Sequence, residues 1–280
     1  FRACARFKSA TGKEHICLRL HPPALHDFTV VSNEKIADGV FSLVISAPRL
    51  AGSLKPGQFV NLAVPGNAMS LLRIPLSFAS ADADKGTVEI WYAVVGEGTE
   101  RLSQMQPGST STLLGPGGHG WTVPEGCKKA LLVGGGIGVP PVLCLARDLA
   151  SSGIAFDVCV GAASAGSMVG VDEFNAAGAG KVLVATDDGS AGYHGFCTDP
   201  AAELLAAGGY DYVATCGPSP MMKKVAASAA DTGVFCEASL ERMMSCGFGA
   251  CATCAVETVD GMKGACMCGP VFDASKVVAW

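Results

Sequence analysis

Five cysteines crowd one short stretch of the chain: Cys246, Cys251, Cys254, Cys266 and Cys268. The first three stand as Cys-x4-Cys-x2-Cys with a further cysteine downstream, the plant-type spacing for a [2Fe–2S] cluster. One tight loop has to wrap such a cluster and aim thiolates at both irons. Gly247 and Gly249 let the backbone pass close to the inorganic sulfides, where amide N–H groups can donate. The fourth ligand must arrive from a separate segment, and Cys266 and Cys268 both offer a thiol. A zinc knuckle or buried free thiols are the competing readings. Zinc sites pair one Cys-x2-Cys with a second such pair, which is absent here. The other eight of the 13 cysteines (Cys4, Cys17, Cys127, Cys144, Cys159, Cys197, Cys216 and Cys236) are scattered and read as small buried hydrophobes. The odd count and the chain length argue against a disulfide scaffold.

Upstream lie segments suited to phosphates and a flavin. In Arg73-Ile74-Pro75-Leu76-Ser77, an arginine and a hydroxyl on one extended stretch can meet a diphosphate and a flavin edge together. Gly96-Glu97-Gly98-Thr99 precedes a helix expected over Glu100–Met105, with Thr99 as its cap and amides free to hold a phosphate. Gly134-Gly135-Gly136-Ile137-Gly138 follows an apolar strand and opens a helix, as a dinucleotide pyrophosphate requires, although the last position of Gly-x-Gly-x-x-Gly is not glycine. Thr215-Cys216-Gly217-Pro218 ends a later strand, at the edge where such folds bind ligands.

The elements that must position these residues fall into blocks. Residues 1–27 carry His15, His21 and His26 and read as an N-terminal extension; the spacing of the histidines fits no metal motif. Residues 28–122 are short apolar runs separated by Gly and Pro turns, the texture of an antiparallel β-barrel. Residues 123–233 alternate strands (Ala130–Val133, Ala155–Val160, Lys181–Thr186, Tyr210–Thr215) with helical stretches (Pro140–Ala150, Pro220–Ala230). That rhythm predicts an α/β doubly wound parallel sheet. Residues 234–280, rich in Cys and Gly, read as a small C-terminal [2Fe–2S] lobe.

The chain has 280 residues, a net charge of −5 and only 16% charged residues. Nothing advertises nucleic acid or an anionic membrane, and the low charge fits a chain that covers part of itself with a partner. No apolar run is long enough to span a bilayer, and no continuous apolar stretch follows Arg2, Arg6 and Lys8 as in a signal peptide. A cytoplasmic location is expected.

The order Arg-x-Pro-x-Ser, Gly-x-Gly-Thr, Gly-Gly-Gly-x-Gly, Cys-Gly-Pro resembles the ferredoxin–NADP reductase superfamily. The tail narrows the resemblance. Leu240-Glu241-Arg242-Met243-Met244-Ser245-Cys246-Gly247-Phe248-Gly249-Ala250-Cys251 and Gly269-Pro270-Val271-Phe272 look like the electron-transfer subunits of type B, NAD-dependent dihydroorotate dehydrogenases. Thr186-Asp187-Asp188-Gly189-Ser190 and Gly195-Phe196 match as well. The resemblance covers about residues 28–280. It implies FAD on Arg73, Ile74, Pro75, Leu76 and Ser77, on Trp91, Tyr92 and Ala93, and on Gly98 and Thr99. NAD would lie on Gly134, Gly135, Gly136, Gly138, Gly217 and Pro218, with Cys216 and Ser77 at the reacting centre. The cluster ligands would be Cys246, Cys251, Cys254 and Cys266, since the family's last cysteine stands three residues before the Gly of Gly-Pro-Val-Phe. Where the family usually has Asp before that Gly, this chain has Cys268. The implied partner is an FMN-containing dihydroorotate dehydrogenase catalytic subunit, in a heterotetramer serving pyrimidine biosynthesis.

The cofactor set is chemically coherent. A nicotinamide carries two electrons as hydride, a [2Fe–2S] cluster takes one at a time, and a flavin can do both. NAD is favoured over NADP because a 2′-phosphate needs Arg or Lys near the end of the second strand, and Gly161 to Gly180 contains neither. Two alternatives compete. One is the reductase subunit of another NAD(P)-linked complex, of the bifurcating transhydrogenase or sulfhydrogenase gamma type. In some of those the first cluster ligand is Asp, against Cys246 here. The other is a zinc-bearing, non-redox binding module.

Overall fold

A computed structural model of the chain describes residues 6–8, 14–16, 23–64, 66 and 72–280. Most of the expected extension, with Cys4, Cys17 and His21, lies outside the described residues. Within it, strands Arg6–Lys8 and Glu14–Ile16 pair antiparallel.

The first sheet has seven antiparallel strands in the order 74–77, 59–62, 110–117, 24–37, 40–46, 87–93, 80–82. Its two edge strands, Ile74–Ser77 and Ser80–Asp82, are sequence neighbours joined through Phe78 and Ala79, so the sheet curls round into an open barrel. The inside is set by period-two alternation. Leu43 and Ile45 of one strand and Val88, Ile90 and Tyr92 of another are all buried and share one core. The long strand Ala24–Ala37 starts four residues before the expected domain boundary at 28. Leu25 pairs with Leu114, and His26 Nε2 donates to Gly115 O at 3.2 Å.

The second sheet has the order 193–194, 182–186, 155–162, 129–135, 212–216, 235–239, 271–273. Every pairing is parallel except the last. Alternate residues of the central strand feed two cores. Ala130 and Leu132 face helices Val139–Ser151 and Val171–Ala176, while Leu131 and Val133 face Thr198–Ala207 and Ser219–Asp231. That is the expected doubly wound arrangement, with helices slightly longer than their sequence bounds. Two strands depart from the expected division at 233/234. Phe235–Ser239 completes the parallel sheet, and Val271–Asp273, from beyond the cysteines, pairs antiparallel with it. Composition shifts to Cys and Gly at that point, but hydrogen bonding does not. The remaining lobe is a hairpin, Ala255–Thr258 with Gly261–Gly264, followed by a short helix, Ala265–Cys268.

The barrel and the nucleotide sheet are locked together. Arg147 Nη1 donates to Ala79 O at 2.9 Å, and Trp121 Nε1 donates to Pro141 O at 3.0 Å.

Candidate functional site

Where the barrel, the parallel sheet and the cysteine lobe meet there is a cleft of about 460 Å³. Of the residues expected there, Ile74, Pro75, Leu76, Ser77, Trp91, Ala93, Thr99 and Cys216 line it. Their placement follows from strand periodicity. On Thr87–Ala93, Trp91 and Ala93 face out to the cleft, while Tyr92 faces the barrel core, fully buried, its hydroxyl donating to Asn33 Oδ1 at 3.0 Å. Tyr92 is therefore a core residue and its side chain does not reach the cleft. Trp91 is fixed by its Nε1, which donates to Glu89 Oε1 at 2.7 Å.

Arg73 is also apart from the cleft wall. Its guanidinium donates to Thr112 O at 3.0 Å, to Thr112 Oγ1 at 3.1 Å and to Asn61 O at 3.4 Å, which fastens the edge strand to the barrel. Thr99 does not cap a helix over 100–105. The helix is Glu97–Ser103 with Gly96 as its cap, and the buried Thr99 hydroxyl accepts from Val95 N and Gly96 N at 3.0 and 3.2 Å. The threonine stands in the first turn and closes it from inside. Gly98 lets that turn approach Ile74: a Cβ there would meet Ile74 Cδ1 at 3.2 Å.

The glycine loop divides by role. A Cβ on Gly135 would meet Met221 Sδ at 2.5 Å, and one on Gly134 would meet Val139 Cγ2 at 3.2 Å, so packing accounts for both. Gly136 has φ of +53° with open space at its Cβ position, leaving room for a ligand. The helix that follows begins Val139-Pro140-Pro141, and two prolines in its first turn remove two of the amides that such a terminus offers a phosphate. The free amides at this end of the sheet are those of the loop. Gly134 pairs in register with Cys216, at the point where strand order reverses and where open α/β sheets bind ligands. Gly217, with φ of +153°, passes close to Gly135 O, and Pro218 caps the next helix. Burial pushes the Cys216 thiol up to about 12, so it stands there as a neutral group.

Among the cleft residues that were not expected as site residues are Phe59 and Glu241. Phe59 comes from the strand paired with Ile74–Ser77. Glu241 follows the last parallel strand, and desolvation raises its carboxyl above the ordinary value. The available clue to Glu241 was its place in the tail motif Leu240-Glu241-Arg242-Met243-Met244.

The cleft wall continues into the cysteine loop, because Met244 lines the cleft and Cys246 follows two residues later. The thiols form two pairs. Cys251 Sγ lies 3.3 Å from Cys246 Sγ, which also accepts from Ala250 N at 3.3 Å. Cys254 Sγ accepts from Cys266 N at 3.4 Å and from the Cys266 thiol. The hydrogen bond from Thr253, 3.2 Å from Cys251 Sγ, brings Cys251 down to about 6. The Cys266 hydrogen bond brings Cys254 down to about 6, and Cys266 is itself pushed up as the donor. One pair opens to the surface, with Cys251 exposed, while Cys254 and Cys266 are buried. Cys268 is engaged in a disulfide.

This donor set fits a two-iron cluster better than a single ion. Two thiol pairs match two irons, whereas among the described residues no three His, Cys, Asp or Glu converge as one metal ion requires. The loop is also pressed hard into place. A Cβ on Gly249 would meet Met267 Cγ at 2.7 Å, and one on Gly247, where φ is +72°, would strike Asn61 Nδ2.

Comparison with known proteins identifies the family and the fold. The iron–sulfur cluster binding domain of dihydroorotate dehydrogenase B matches residues 241–278. The chain is 40% identical over 256 residues to the dihydroorotate dehydrogenase B (NAD(+)) electron transfer subunit of Geobacillus thermodenitrificans, covering 89% of this chain and 97% of that one. The Bacillus pumilus subunit of the same name is 37% identical over 254 residues, covering 89% and 96%. Among solved structures, an NADH-dependent reduced ferredoxin–NADP oxidoreductase, studied for flavin-based electron bifurcation, superposes with a TM-score of 0.81 at 32% identity, covering 91% of this chain and 90% of that one. The architecture is that of the ferredoxin–NADP reductases. Identity at this level over nearly the whole length settles the family: the chain is an electron transfer subunit of the dihydroorotate dehydrogenase B (NAD(+)) family.

Proposed function

We propose that this chain passes electrons between NAD(H) and a dihydroorotate dehydrogenase catalytic subunit, using FAD in the cleft and a [2Fe–2S] cluster in the cysteine loop. The observation that carries this is the continuity of the cleft wall with the loop, from Met244 to Cys246. When bound, a flavin exchanges hydride with a nicotinamide and single electrons with a cluster. The residues suited to hold FAD are Pro75, Leu76, Ser77, Trp91, Ala93 and Thr99, which present mostly apolar walls with two hydroxyls. Loop residues 134–138 and Cys216-Gly217 would receive the nicotinamide nucleotide at the sheet's switch point. Ser77 and the neutral Cys216 thiol can position the reacting rings without introducing charge. Cys246 and Cys251 would bind one iron, Cys254 and Cys266 the other, since the Cys268 sulfur is already engaged.

The exposed Cys251 end of the loop faces outward, where a partner can dock. The partner implied by the family likeness carries FMN and the dihydroorotate site, in a heterotetramer of the pyrimidine pathway. No helix among the described residues is long and apolar enough to cross a membrane. We place the assembly in the cytoplasm.

The direct test is rapid mixing of the purified protein with NADH, read by flavin absorbance and by electron paramagnetic resonance of the cluster, together with affinity capture of the partner. Flavin bleaching without a cluster signal would sink the proposed route. Capture of a catalytic subunit other than a dihydroorotate dehydrogenase would move the chain to the second reading, a reductase subunit of a bifurcating complex. The 32% identity to the bifurcating oxidoreductase favours that reading over a zinc module.

A further inference from the structure

The strand Phe59–Leu62 separates two environments. Val60 and Leu62 point into the barrel core, while Phe59 points out, into the core that holds Met244, Cys254, Cys266 and Met267. Asn61, two residues on from Phe59, shares its face. It is 1% exposed, and neither Nδ2 nor Oδ1 has a hydrogen-bond partner. Buried side-chain amides are ordinarily satisfied, because leaving one unpaired costs free energy. This one is not lost in an apolar pocket. Its Nδ2 lies against Gly247, so that a Cβ on that glycine would strike it, and Gly247 directly follows Cys246. Asn61 O accepts from Arg73, which holds the strand in place behind the amide. An unpaired donor is thus fixed against the first turn of the cysteine loop, from a different domain.

The acceptors that this turn gathers on loading are thiolate and sulfide sulfurs. Donors to such sulfurs favour the reduced, more negative cluster. We propose that Asn61 is a positioning residue for the cluster: its Nδ2 donates to a cluster-side sulfur at the Cys246 end of the loop and holds the cluster's reduction potential up. This rests on the reading that the loop carries a [2Fe–2S] cluster. It adds that the flavin barrel, through one amide, tunes the centre that its own flavin feeds.

The test compares full-length wild type with Asn61→Leu and Asn61→Asp. A redox titration followed by electron paramagnetic resonance gives the cluster midpoint, and flavin absorbance gives the flavin midpoint in the same sample. Asn61→Leu is expected to shift the cluster's reduction equilibrium about tenfold toward the oxidised form, about 59 mV for one electron. Asn61→Asp should shift it further, and the flavin midpoint should stay unchanged in both. Thermal unfolding adds an arm that needs no cluster. Asn61→Leu should raise the melting temperature of protein stripped of iron, where the amide has no partner, and lower that of loaded protein. An unchanged cluster midpoint, or equal melting shifts in the two forms, overturns the proposal while leaving the electron-transfer reading intact. Wild-type protein without a cluster signal removes that reading and the proposal together.

Discussion

Gly138 and the main chain of Cys216 touch so closely that a Cβ at position 138 would collide with the Cys216 carbonyl and reach Gly217 N at 2.6 Å. The loop after strand Lys129–Gly135 and the end of strand Tyr212–Cys216 can meet only because this residue has no side chain. Gly138→Ala must therefore push the two strand ends apart. Overpacking of this kind costs about 1–3 kcal/mol. The expected result is a lower melting temperature and flavin reduction by NADH slowed at least about tenfold, since small misplacements at a reacting centre are expensive. Gly136→Ala is the contrast. Its Cβ would face open space, so the cost is the left-handed backbone alone, about 1–2 kcal/mol, and the functional loss should fall on NADH affinity.

The two downstream cysteines predict opposite outcomes. Cys266 is buried against Cys254, whereas Cys268 is engaged in a disulfide. Cys266→Ser should abolish the cluster signal in electron paramagnetic resonance, and Cys268→Ser should spare it. The reverse pattern would assign the fourth ligand to Cys268.

Nucleotide choice is readable in rapid-mixing rates. The stretch from Gly161 to Gly180, which follows the second parallel strand, contains no Arg or Lys to meet a 2′-phosphate, and it carries Asp172 and Glu173. NADH should reduce the flavin at least about tenfold faster than NADPH, the discrimination expected when a charged group is left unpaired. Equal rates would refute the assignment to NAD.

A stability prediction rests on Glu237. Its carboxylate accepts from Tyr212 Oη at 2.6 Å and from Thr122 N at 2.8 Å, bridging the parallel sheet to the segment that enters it from the barrel. Burial raises its pKa above the ordinary 4.5, and the two hydrogen bonds oppose that only in part. The folded protein thus holds this proton more tightly than the unfolded chain. The group's contribution to stability is complete below about 4.5 and is lost as pH rises through the folded value. Glu237→Gln keeps an acceptor for both donors and does not titrate. Its melting temperature should gain on wild type as pH climbs from about 4.5 toward neutrality. A difference independent of pH would contradict the assignment.

Much of this molecule is written in local pattern. The Cys-x4-Cys-x2-Cys spacing, the alternating strands and helices after 128 and the edge strand Ile74–Ser77 all stand where the sequence places them, because each depends on neighbours along the chain. What the sequence hid depends on neighbours across it. Tyr92 looks like a partner of Trp91, yet adjacent strand residues face opposite ways, and only the sheet shows which face is the cleft. Arg73 reads as a ligand for a diphosphate until Thr112 is seen beside it. Thr99 resembles a cap because its hydroxyl does close the first turn, from within rather than from in front. Asn61 carries no motif at all, and its burial is set by the cysteine loop folding back on the barrel.

The antiparallel strand Val271–Asp273 gives the molecule a mechanical character. It stitches the lobe that follows the cysteines onto the edge of the nucleotide sheet, so the loop is clamped at both ends. A reductase with a tethered ferredoxin can swing its metal centre between donor and acceptor, and shuttling then limits throughput. Here the joint is sewn shut. The cysteine loop is thus held at one fixed place between barrel and nucleotide sheet, tied to that sheet from before and from after.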